Sequence, residues 1–67
     1  MKIGDNVYTP RFCTVKINKV FDNARSAREA GYIEPTHYHK NGWTVLGKAV
    51  ENAMPGWCKM EFAATKE

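Results

Sequence analysis

The chain has 67 residues, 43% of them hydrophobic and 12% aromatic, with ten Lys and Arg against seven Asp and Glu for a net charge of +3. This composition excludes the sparse, highly charged make-up of a disordered segment, while a chain this short buries only about 60% of its unfolded surface and supports one core, so a single domain over 1–67 is expected. No apolar run approaches the roughly 20 residues of a membrane span, and Met1-Lys2-Ile3-Gly4-Asp5 carries no apolar signal core, which gives the expectation of a cytoplasmic protein.

Gly4-Asp5 is a turn leading into a short strand through Val7-Tyr8-Thr9, which Pro10 interrupts by removing a backbone donor. From Phe12 to Phe21, Cys13, Val15 and Ile17 alternate with Thr14, Lys16 and Asn18, the period-two pattern of a half-buried strand. Asp22-Asn23 offers a side-chain cap to the helix formers Ala24 to Ala30, and Gly31 ends them, which predicts a helix of about two turns over 23–30. Ala24, Ala27 and Ala30 form its small-residue face towards the sheet, with Arg25, Arg28 and Glu29 towards solvent.

Pro35 is expected to break any regular element across Tyr32 to His39, which reads as a loop entering a short strand. Asn41-Gly42 tolerates positive φ at both positions and predicts a hairpin through 36–50, with Gly47 marking a bulge or a close backbone approach. A surface loop over 52–56 precedes a last strand from Trp57 to Ala64, in which Cys58, Met60 and Phe62 alternate with the charged Lys59 and Glu61. The fold class is therefore α+β: a small antiparallel sheet or partly open barrel of roughly four to five strands, with one short helix after the second.

Lys2-Ile3-Gly4-Asp5-Asn6-Val7-Tyr8 followed by Thr14 to Val20 resembles the beginning of Src-homology-type small β-barrels, a likeness covering about the first third of the chain, from which the helix after the second strand departs. The phrases Val7 to Val15, Glu34-Pro35-Thr36-His37-Tyr38 and Met60-Glu61-Phe62-Ala63-Ala64 look like short uncharacterised proteins of Gram-positive bacteria and their phages or mobile elements. That resemblance implies a setting and no activity.

Cys13 and Cys58 belong to no Cys-x-x-Cys pair and are expected to pack as small hydrophobes, with a disulfide as the alternative. His37 and His39 flank Tyr38 and, with the two thiols, are the residues a zinc site would use; without paired ligand spacing the expectation is no metal and no cofactor. Nothing in the spacing of Asp22, Glu29, Glu34, Glu51 and Glu61 brings two carboxylates together, Ser26 lacks a nucleophile elbow, and no glycine loop could cradle a phosphate, so no enzyme activity is expected.

What remains is the interleaving of rings and cations: Tyr8, Arg11, Phe12, Tyr38, Lys40, Trp43 and Trp57 can stack on bases beside phosphate-binding side chains, although a core of this size also needs such rings. The expected function is a non-enzymatic binding module, a phage or mobile-element accessory protein contacting nucleic acid through Arg11, Arg25, Arg28, Lys40 and Trp43. The alternative is a protein-binding inhibitor or adaptor, directed at a host defence enzyme, that docks through Met54 and Trp57 and self-associates by a sheet edge.

Overall fold

The computed structural model of the chain describes residues 1–51 and 58–66, with every side chain among them except those of Glu51 and Cys58. The elements run β1 (Asn6–Thr9), β2 (Cys13–Phe21), α1 (Ala24–Glu29), β3 (Glu34–Lys40), β4 (Trp43–Glu51) and β5 (Cys58–Lys66). The strands form one curled half-barrel sheet in the order β1-β2-β5-β4-β3. Neighbours are antiparallel except β2 and β5, which run parallel, so the sheet is mixed where an antiparallel one is expected. The reason is the route between them: the chain leaves β2 through α1, makes the β3–β4 hairpin, and returns as the middle strand beside β2, a crossover long enough for parallel pairing.

Local chemistry sets the ends of the elements as the sequence predicts. Asn23 Oδ1 accepts from the Ser26 N–H at 2.8 Å, capping α1. At the other end the Gly31 N–H bonds Arg28 O and the Tyr32 N–H bonds Ala27 O, both at 3.0 Å, a Schellman closure that needs the left-handed φ of +98° Gly31 supplies. Asn41 and Gly42 have φ of +54° and +77°, the pair of positive angles of a two-residue hairpin turn, and Lys40 faces Trp43 across it.

The core lies on both faces of the sheet. Val15, Ile17, Val45, Phe62 and Ala64 fill the concave side with Phe12, Tyr38 and Trp43 packed against them; Ala27, Tyr32, Leu46 and Ala63 join α1 to the other side, with Phe21 and Ala24. Ala27 and Ala63 are fully buried, and their small side chains let the helix lie close to β5. Ala30, expected on that face, is exposed because it is already the helix C-cap.

Several expectations are corrected. Cys13 is exposed: it closes the Pro10-Arg11-Phe12 loop with φ +58°, which turns its side chain outward while Phe12 takes the place in the core, its ring 5.4 Å from that of Phe62. Phe21 does not continue the face of Ile17. Between Ile17 and Lys19 the β2–β5 register slips by one residue, so the parity of β2 reverses and Phe21 packs on Tyr32 at 5.7 Å, on the helix side. Pro35 lies within β3, where an edge strand can dispense with its donor. Gly47 keeps a continuous register with β5 and marks close approach only: a Cβ there would meet Met60 Cε at 2.8 Å and the Phe62 ring at 3.2 Å.

Tyr32 supplies a stability prediction. Its phenol, almost wholly buried, is held above the ordinary value of 10.0, first by burial and then by the negative charge of Glu61. A raised folded value means that its contribution to stability is intact below the ordinary tyrosine range and is lost as pH climbs above it, where the unfolded chain ionises first. In urea titrations at about pH 8 and pH 10.5, the wild type should lose more stability between the two than Tyr32→Phe does; equal losses would refute the assignment.

Candidate functional site

Curling brings the two edge strands, β1 and β3, to face each other across a seam. At one end the seam is shut. The Arg11 N–H donates to Thr36 O at 3.2 Å, and Arg11 Nη1 donates to Glu34 Oε2 at 3.2 Å and to Pro35 O at 3.1 Å, so the β1–β2 loop is pinned to the start of β3.

A bulge in β3 makes this closure. The register passes from Pro35 opposite Leu46 to His39 opposite Thr44, leaving Thr36, His37 and Tyr38 against Val45 alone. His37 adopts φ +65°, and the fully buried Thr36 hydroxyl stands in for the missing ladder: it donates to Val45 O at 2.7 Å and accepts from the Tyr38 N–H at 3.3 Å. The bulge bends β3 towards β1 and aims the Thr36 carbonyl at Arg11.

Beyond the clamp the edges part and leave an open groove of about 540 Å³. Val7 and Tyr38, both packed against the core, form its inner side; Tyr8 projects from the β1 lip, and His37, His39 and Lys40 stand along β3. His39 Nδ1 lies 3.0 Å from Thr44 Oγ1, which orients its ring. Among the described residues no carboxylate lines the groove.

Lys40 also opens a second feature. Lys40, Trp43 and Lys66 stand in register across β3, β4 and β5, and Lys66 Nζ lies 5.9 Å from the centre of the Trp43 ring. Compared with protein-family models, curated proteins and solved structures, the chain matches none.

The structure thus brings Lys40 and Trp43 together and sets Arg11, Arg25 and Arg28 apart from them. Arg11 is at the closed end of the seam, engaged with Glu34 and stacked 4.9 Å over Phe12; its Pro35 contact and Lys40 oppose Leu46 and Trp43, three steps apart on β4 or about 10 Å of strand. Arg25 and Arg28 are exposed on α1, Arg25 paired with Glu29 at 3.3 Å. Met54 and Trp57 lie outside the described residues, as does the side chain of Cys58. Among the described residues no three His, Cys, Asp or Glu side chains converge on a metal site, so His37, His39 and Cys13 do not form the cluster that zinc would use. Lys66 escapes the sequence reading because its ring partner, Trp43, is far away in the chain and arrives only through β-pairing.

Proposed function

We propose that this chain is a small non-enzymatic binding module, an accessory protein of a phage or mobile element acting inside the cell, that contacts nucleic acid through a basic and aromatic surface. The observation that carries this reading is the continuity of two features through Lys40: the groove with Tyr8, His37 and His39, which no carboxylate lines among the described residues, and the Lys40-Trp43-Lys66 row. Cations beside the exposed Tyr8 ring and the half-buried Trp43 suit a phosphate backbone with bases that can stack. Arg25 and Arg28 add positive charge on α1, on the other side of the sheet from the groove, and Arg11 serves the groove by holding the seam closed at one end.

Salt tests it. Affinity for a labelled oligonucleotide, measured by fluorescence anisotropy, should fall steeply as salt rises, and Lys40→Ala and Lys66→Ala should each flatten the log–log slope by about 0.7. Arg25→Ala with Arg28→Ala should weaken binding further; unchanged binding in that double variant removes the helix from the surface. A salt-insensitive interaction would instead favour the second reading, a protein-binding inhibitor or adaptor, which the exposed Ile3 and Ile33 and the open sheet edges support.

A further inference from the structure

We infer that the β1–β3 seam takes an unpaired nucleic-acid strand, with a base stacked on Tyr8 and phosphates held along the Lys40 side. This rests on the nucleic-acid reading above and specifies its substrate class and the side chain that selects it.

Three observations converge. Tyr8 is 64% exposed on a strand whose other members near it turn inward, Val7 against the core and Thr9 fully buried, and its ring belongs to neither core cluster. A large ring on an edge strand, unused by packing and set on the lip of a groove, is a stacking platform. The opposite lip supplies Lys40 and two imidazoles, and among the described residues no carboxylate lines the groove to repel phosphate.

The third observation is shape. The groove runs between two strand edges and is stopped at one end by the Arg11 link to Thr36, Pro35 and Glu34. A duplex keeps its bases stacked inside and presents only phosphate and groove edges to a cleft of this kind, whereas an unpaired strand can turn a base into it. Because Thr36, His37 and Tyr38 together oppose Val45, the β3 lip from His37 to Lys40 covers about two strand steps, roughly 7 Å, room for about two nucleotides at the stacked spacing of about 3.4 Å.

The test uses the full chain and fluorescein-labelled oligothymidylate of twelve nucleotides, alone and annealed to its complement, at low salt, with polyglutamate as a polyanion competitor. The single strand should bind at least about tenfold tighter than the duplex. Tyr8→Ala should weaken single-strand binding by about 5- to 100-fold and leave the duplex unaffected, with Tyr8→Phe restoring affinity. Because Tyr8 is outside both core clusters, circular dichroism and the urea midpoint should be unchanged in both variants. If duplex and single strand bind equally and Tyr8→Ala changes neither, while Lys40→Ala weakens both, the seam inference is overturned and the broader nucleic-acid reading stands. Displacement by polyglutamate as effective as by unlabelled oligonucleotide also overturns it, since the surface would then recognise charge alone. Absence of binding to either oligonucleotide would overturn both.

Discussion

Ile17→Ala should leave the chain largely unfolded, with the urea transition moved to little or no denaturant. Ile17 has no solvent exposure and is among the largest fully buried side chains described. It also stands where β2 changes partners. Up to Lys16 the strand pairs with β1; at Ile17 its N–H bonds Asp5 O at 2.9 Å and its carbonyl accepts from the Gly4 N–H at 2.8 Å, and on its other side it opposes Phe62 of β5. The truncation therefore removes packing at the joint between the β1–β2 hairpin and the rest of the sheet.

Removal of a buried Ile to Ala costs about 2–5 kcal/mol. Against it stands a total stability of about 3–10 kcal/mol for 67 residues at ordinary values per residue. Ile17→Val, costing about 0.5–1.5 kcal/mol, should remain folded with a lower midpoint. A midpoint for Ile17→Ala close to that of the wild type would show that the hairpin is held by something other than this contact.

Thr36→Val should cost about 2–4 kcal/mol although the side chain keeps its shape, because it strands two backbone groups at once. The Val45 carbonyl loses its donor and the Tyr38 N–H loses its acceptor, inside a bulge where the strand ladder cannot replace them. Thr36→Ser retains the hydroxyl and should lose much less. The change should also reach the groove, since Tyr38 lines its inner side and the Thr36 carbonyl receives Arg11. Thr36→Val should therefore weaken oligonucleotide binding under conditions where it is still folded, a readout that a purely stabilising role would leave unmoved. Equal urea midpoints for Thr36→Val and Thr36→Ser would remove the hydroxyl from this account.

The candidate site was only partly legible in the sequence. Tyr8, Tyr38, Lys40 and Trp43 stand out as rings and cations, but the groove joins residues about thirty apart in the chain, and no local pattern announces that β1 and β3 will meet. The same holds for β5. Its alternation from Lys59 to Glu61 suggests one outer, charged face, yet Phe62, Ala63, Ala64 and Thr65 are all buried, because this strand is in the middle of the sheet with the concave core on one side and α1 on the other.

The sequence by itself determined the strand periodicity through Val15 and Ile17, the Asn23 cap, the stop at Gly31 and the Asn41-Gly42 turn. These follow from dihedral preference and hydrogen bonding within a few residues, which neighbouring side chains suffice to dictate. Only the tertiary structure decided the parallel pairing of β2 with β5, the register slips that send Phe21 to the helix side and bend β3, and the outward turn of Cys13. Those outcomes minimise exposed apolar surface over the whole molecule, and a shift of one residue exchanges the two faces of a strand at little local cost.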